Sequence, residues 1–174
     1  SFATYGEYLW EEHKYGRYAA DLHGMNSMAG YLAESQTKQE NLIRFYYEDK
    51  EDMFDGHSYN KGGRVLHMLR YFLGDAAFFS GLKLYLDDNQ FESVEIHQLR
   101  LAMEEVSGKD LNWFFNQWFL GSGHPELTID YDVNDSLNTL TVLIEQTQEG
   151  LFRLPLEVDV YTDSGVKRQR IDIR

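Results

Sequence analysis

The chain has 174 residues, 29 acidic and 16 basic, for a formal charge of −13 with histidine uncharged. A chain of that length buries roughly 70 % of its extended surface, enough for one full core or one core plus a smaller appended unit. So acidic a balance excludes a non-specific binder of nucleic-acid phosphates, which works by releasing counterions with its own cations. Twelve Tyr, eleven Phe and three Trp separate it from disordered acidic segments, so the chain folds. Cysteine is absent, which removes a disulfide framework and a thiolate metal site and suits a cytoplasm or a periplasm alike. No apolar run approaches the roughly 18 residues of a membrane span. Ser1-Phe2-Ala3-Thr4-Tyr5 has no initiator Met, basic region or apolar leader. It reads as the interior of a helix or domain, and the expectation is a fragment.

Up to about residue 120 the periodicity is helical. Phe2, Tyr5 and Tyr8/Leu9 share a face, and Leu22, Met25, Met28/Ala29 and Leu32 repeat at three or four residues as a second stripe. Residues 33–40 are polar, and 41–58, with Phe45-Tyr46-Tyr47 and the charged run Glu48 to Asp52, read as a loop or short extended piece. From Asn60 the helical signal strengthens through Val65/Leu66, Leu69 and Phe72/Leu73, with Gly74 placed to stop it in a left-handed conformation. Asp75 is the predicted cap of a helix carrying Phe78/Phe79, Leu82 and Tyr85/Leu86. Ser93 is the candidate cap of the next, with Ile96, Leu99, Ala102/Met103 and Val106 inward and Gly108 at its end. Asp110 is predicted to cap a short helix, Leu111 to Leu120, that bears Trp113, Phe114, Trp118 and Phe119. Successive stops and caps with short links describe an antiparallel helical array.

Gly121-Ser122-Gly123-His124-Pro125 ends that regime, because the glycines permit a sharp turn and Pro125 biases His124 away from helix. The period then becomes two. Leu127, Ile129, Tyr131 and Val133 alternate with polar residues, Asn134-Asp135-Ser136 turns, and Leu140, Val142 and Ile144 continue the alternation. Leu154, Leu156, Val158 and Val160 form a third strand, and Thr162 to Gly165 turns into a fourth around Val166–Ile173. Four antiparallel strands with one apolar face require a second layer. The fold class is therefore α+β, a helical array over 1–121 followed by a partial antiparallel β-sandwich over 122–174.

Chemistry is harder to place. None of the six histidines pairs at i,i+4 or joins an acid in a zinc-binding spacing. Neither a phosphate-binding glycine loop nor a nucleophile elbow is present. The residues of this stretch make no complete active site. One segment stands apart, Asp55-Gly56-His57-Ser58-Tyr59-Asn60-Lys61-Gly62-Gly63. It puts a tyrosine at the mouth of a helix, where free N–H groups and the dipole favour negative charge. Its glycines allow close approach of another backbone or a ligand. A phenol there can donate to a developing oxyanion, and it can equally be a tyrosine that caps or packs.

Three motifs in order carry a resemblance: Ser1-Phe2-Ala3-Thr4-Tyr5-Gly6-Glu7-Tyr8, then Ser58-Tyr59-Asn60-Lys61-Gly62-Gly63, then Trp113-Phe114-Phe115-Asn116-Gln117-Trp118 with Gly121-Ser122-Gly123-His124-Pro125. Together they resemble the gluzincin zinc aminopeptidases, the alanyl/leucyl aminopeptidase family, over essentially the whole chain. The resemblance implies the later, helical part of a thermolysin-like catalytic domain joined to the start of the β-sandwich that follows it. It also implies that the third zinc ligand, a glutamate, directly precedes Ser1, and that both histidine ligands, the general base and the amine-gripping motif lie further upstream. No residue here is then a zinc ligand, and zinc is expected in the full-length parent and not in this fragment.

By the same resemblance, Tyr59 matches the tyrosine whose hydroxyl faces the tetrahedral intermediate. Lys61 and Gly62 fix the backbone after it. Glu7 and Glu12, on the helix that would carry the missing ligand, are candidates for supporting the metal's ligands from behind, beside the reading of a solvated helix face. The parent is expected to hydrolyse N-terminal residues from peptides, and the fragment to be inactive. A non-catalytic, protein-binding member of the fold and a related epoxide hydrolase are the alternatives. The Trp113–Phe119 cluster is expected to bury an interface between the units, and exposed apolar faces toward missing parts of the parent are expected to allow self-association.

Overall fold

The computed structural model describes residues 1–173. Its contacts separate a helical unit, Ser1–Gly123, from a second unit that begins at His124. In the first unit α1 (Phe2–Tyr15) and α2 (Arg17–Ser35) form a hairpin broken at Gly16, whose φ of +88° suits only glycine without strain. Tyr5 and Tyr8 are the buried residues of α1. Their rings stack 5.6 Å apart, and Tyr5 meets Phe78 edge-on at 5.9 Å. The Tyr8 hydroxyl donates to Asp21 Oδ1 at 2.8 Å, so the phenol oxygen inside the bundle has an acceptor.

The apolar stripe predicted for α2 is not its buried face. Leu22, Met25 and Met28 are all exposed, Met25 at 61 %, whereas Ala20, Gly24, Tyr31 and Ser35 are buried. Close approach decides the orientation. A methyl placed on Gly24 would lie 3.3 Å from Arg64 Cζ, so the missing side chain lets that guanidinium cross α2. Small residues win this interface over large apolar ones because helix axes can then approach closely.

After a loop holding a 3₁₀ turn (Lys50–Met53), helical winding resumes at His57–Lys61 and continues as α3 (Gly62–Leu73). Val65, Leu66 and Leu69 of α3 are buried, as the periodicity predicts. Gly74 ends α3 with φ +84° and ψ 157°, and α4 (Asp75–Asp88) begins at once. Asp75 is therefore the first helical residue and no side-chain cap; its carboxylate turns to Arg70 instead. In α5 (Ile96–Ser107) the cap is Glu95 and not Ser93, closed by a reciprocal hydrogen bond between the Glu95 N–H and the Gln98 side chain. Gly108, left-handed at φ +66°, stops α5 as expected. Asp110 Oδ1 accepts the Asn112 N–H at 2.9 Å, opening α6 (Asn112–Phe115), which widens into a π segment over Asn116–Leu120. There Phe114, Phe115, Trp118 and Phe119 are buried, and Phe114 stacks on Phe72 with ring centres 6.4 Å apart.

The second unit is two hairpins. Strand β1 (Leu127–Asn134) pairs antiparallel with β2 (Thr139–Gln146), and β3 (Leu154–Thr162) with β4 (Gly165–Ile173). Where the alternation predicts four strands with a common apolar face, the described residues form two separate two-stranded sheets. Ile129, Tyr131 and Val133 are exposed. Gln146 stitches the hairpins, its Nε2 donating to the Phe152 carbonyl at 2.8 Å and its Oε1 accepting the Phe152 N–H at 2.9 Å. Among the described residues, no helix is long and apolar enough to cross a membrane.

One ion network ties three helices together. The buried Arg70 donates Nη1 to Glu12 Oε2 at 2.6 Å, and its Nε and Nη2 fork onto Asp75 at 2.8 Å each. Removing Arg70 leaves the mostly buried Glu12 carboxylate unpaired, while the exposed Asp75 stays hydrated. Arg70→Leu is expected to cost about 2 kcal/mol, discounted for the exposure of Asp75. Denaturant unfolding measures this, and an unchanged midpoint would show that the fork contributes nothing.

Candidate functional site

The residues around Tyr59 form a π turn. The Asn60 and Lys61 N–H groups both donate to the Gly56 carbonyl at 2.9 Å, and the Tyr59 N–H donates to the Asp55 carbonyl at 3.1 Å. The Lys61 bond spans five residues, which widens the winding by one residue relative to an α turn. The sequence places the helix start at Asn60 with Tyr59 at its mouth. In the structure winding begins three residues before Asn60, so Tyr59 sits inside the first turn.

The turn sorts its side chains. His57 and Lys61 are buried at 0 % and 3 % exposure, while Tyr59 stays 38 % exposed with its ring 6.0 Å from Phe54. The Tyr59 side chain is thus not enclosed in the helical core. Lys61 Nζ lies 5.7 Å over the Tyr31 ring and has no hydrogen-bond partner among the described residues. Burial lowers its amine to about 8.

The start of α1 touches this turn. Ser1 Oγ donates to the Ser58 carbonyl at 2.6 Å. A methyl on Gly62 would collide with the Ser1 hydroxyl and stand 2.7 Å from its Cβ, whereas one on Gly63 would make an ordinary contact with Thr4 at 3.4 Å. Gly62 is what lets the opening of α3 lie against the opening of α1. Glu7 and Glu12 point elsewhere in their contacts. Glu7 is exposed, with His23 Nε2 at 3.9 Å, and Glu12 is bound to Arg70.

A charged cluster lies behind the turn. Glu34 Oε2 accepts both the His57 N–H, at 3.1 Å, and a hydrogen bond from Nδ1 of the same ring, at 2.7 Å. Asp55 Oδ1 accepts the Ser58 N–H at 2.8 Å, and its Oδ2 takes Lys38 at 2.7 Å and Arg44 at 2.6 Å. Burial alone would raise the Asp55 carboxyl, and the hydrogen bonds from Lys38, Ser58 and Arg44 outweigh it and bring it down to about 2. No histidine-plus-acid set is visible in the sequence spacing. Here the ligand atoms of Glu34, Asp55 and His57 lie within 4.8 Å of one another. They do not fit a catalytic zinc: two cations already hold the Asp55 oxygen, and the Glu34 oxygen is saturated by His57. The cluster is an ion and hydrogen-bond network.

A family model described as the peptidase family M1 domain matches residues 1–118. The chain belongs to peptidase family M1. This is the family that the three motifs resemble. Aminopeptidase N of Lactococcus lactis is 40 % identical over 79 residues, 45 % of this M1 chain and 9 % of that protein. Aminopeptidase N of Haemophilus influenzae is 33 % identical over 118 residues, 63 % of this chain and 14 % of that one. A solved aminopeptidase A of Legionella pneumophila superposes with a TM-score of 0.74 at 19 % identity, covering 99 % of this chain and 20 % of its own, a likeness of fold. The M1 chain thus spans between about a tenth and a fifth of these relatives.

The network behind the turn has a pH signature. A carboxyl at about 2 in the fold, against roughly 4 when unfolded, contributes stability that is complete above about pH 4 and is lost as pH falls toward 2. Stability of the wild type should drop by about 2 kcal/mol through that window on account of Asp55, and Asp55→Asn should lack this component. Denaturant melts at several pH values measure it; identical acid slopes for the two proteins would contradict the network.

Proposed function

We propose that this chain is part of a zinc-dependent aminopeptidase that hydrolyses N-terminal residues from peptides, and that Tyr59 donates to the oxyanion of its tetrahedral intermediate. Membership of family M1 supports the reaction class. The observation that carries the role of Tyr59 is the 2.6 Å bond from Ser1 Oγ to the Ser58 carbonyl, which holds the turn against the opening of α1. The resemblance puts a metal ligand directly before Ser1, so the phenol of the residue that follows Ser58 would stand beside the metal.

The chemistry suits the residue. Amide hydrolysis concentrates negative charge on one oxygen, and a preorganised donor aimed at that oxygen lowers the barrier without itself moving. A phenol is uncharged at neutral pH and donates one hydrogen, so it adds no repulsion beside a cation. Zinc in such an enzyme polarises the scissile carbonyl and activates water. No residue of this chain is assigned as its ligand, and the isolated chain is proposed to be inactive. Lys61 and Gly62 act by placing the turn, the first from the core and the second by admitting Ser1. Glu12, committed to Arg70, and the exposed Glu7 take no part in the proposal.

Tyr59→Phe in the full-length protein is expected to lower kcat on an aminoacyl-anilide about a hundredfold, equivalent to about 3 kcal/mol, with KM little changed. Under conditions where chemistry limits turnover, an unchanged kcat would remove Tyr59 from the mechanism. The isolated chain should release no product in the same assay.

A further inference from the structure

The residues on either side of Tyr59 are all held, and most are held by α2. His57 is bound to Glu34 through both its N–H and its ring, and that ring meets Tyr31 edge-on with centres 5.1 Å apart. Asn60 packs against Gly30, where a methyl would stand 2.7 Å from its Nδ2. Gly30 and Glu34 are four residues apart on α2 and so share a face. Gly56 completes the contact, since a methyl there would lie 2.7 Å from Glu34 Oε2. The Ser58 N–H is held by Asp55 and its carbonyl by Ser1. Of the five residues in the π turn, Tyr59 is the one left exposed.

A π turn has a ready competitor in the ordinary α turn, which drops one residue from the winding and rotates what precedes it by about 100° about the axis. In either register the backbone bonds are similar in number, so the choice falls to side chains that fit only one. Glu34 bears on that choice, because its Oε2 takes both the N–H and the ring of His57 and abuts Gly56, tying the opening of the wide turn to α2. Loss of that carboxylate leaves a buried N–H and a buried ring nitrogen without an acceptor and so removes part of what favours the observed register.

We propose that Glu34, acting through His57, is a positioning residue that keeps the turn in the register presenting Tyr59 to the reacting carbonyl. The proposal rests on the reading of Tyr59 given above and deepens it: the donor's aim is set by the end of α2, 25 residues away in sequence. It is independent of any metal ligand in this chain.

The test is a double-mutant cycle in the full-length protein with an aminoacyl-anilide substrate. Glu34→Ala should lower kcat about tenfold with KM within about twofold, and in a Tyr59→Phe background it should change kcat by less than about twofold. Gly56→Ala is the second variant, compatible with its backbone at φ −62° and ψ −22° and pressing on the same carboxylate. It should lower kcat several-fold, again only when Tyr59 is present, and it serves where Glu34→Ala does not fold. Equal losses in both backgrounds, or no loss from either variant beside a strong effect of Tyr59→Phe, would overturn the positioning role alone. A Tyr59→Phe enzyme with normal kcat would overturn the oxyanion reading and the positioning role with it.

Discussion

The contact between Ser1, the residue before α1, and the Ser58–Gly62 backbone is the constraint on which the rest of the arrangement depends. It exists because Gly62 opens α3 without a side chain and because Ser1 carries a short hydroxyl that reaches the Ser58 carbonyl. A larger residue at Gly62 would separate the two helix openings. With them apart, the exposed phenol of Tyr59 would have no defined relation to α1. Packing this close is unforgiving, since interiors at crystal-like density absorb an extra methyl only by moving a helix.

Electrostatics then hold what packing has brought together. Two networks serve two ends of the helical unit: Arg70 joins α1, α3 and α4, and Asp55 with Lys38 and Arg44 secures the loop that leads into the π turn. Each centres on one buried charge, Arg70 or Asp55, that is satisfied by more than one partner, the condition under which such groups stabilise a fold and do not burden it. His67 shows the opposite solution. Burial first, then the nearby Arg64, Arg17 and Arg70, bring it down to about 4, and it sits as an uncharged ring beside Tyr5 and Tyr8.

Much of this was legible before any coordinates. Helical spacing located α1, α3, α4 and α5, alternation located the first three strands, and the turn at Thr162 to Gly165 located the fourth. The failures have physical causes. On α2 the large apolar stripe is exposed, and the buried face is Ala20, Gly24 and Ser35 around one large residue, Tyr31, a mostly small-residue pattern that hydrophobic periodicity passes over. Caps went astray at Asp75 and Ser93, where a stronger partner, Arg70, and a better-placed box, Glu95 with Gln98, prevailed. The pairing of strands into separate hairpins has no signature within any one strand. Around the site, the motif exposes Tyr59, Lys61 and Gly62. Glu34 and His57 meet only because α2 and the turn are folded together, and the π winding carries no composition of its own.

The most direct measurement is a crystal structure of the full-length protein with a phosphinic peptide bound, whose tetrahedral phosphorus mimics the intermediate. The account predicts the Tyr59 hydroxyl within about 3 Å of a phosphinyl oxygen, donating to it, with the π turn intact and Ser58 still joined to the opening of α1. A phenol turned away from that oxygen, or an α-helical turn in place of the π turn with the inhibitor bound, would contradict it.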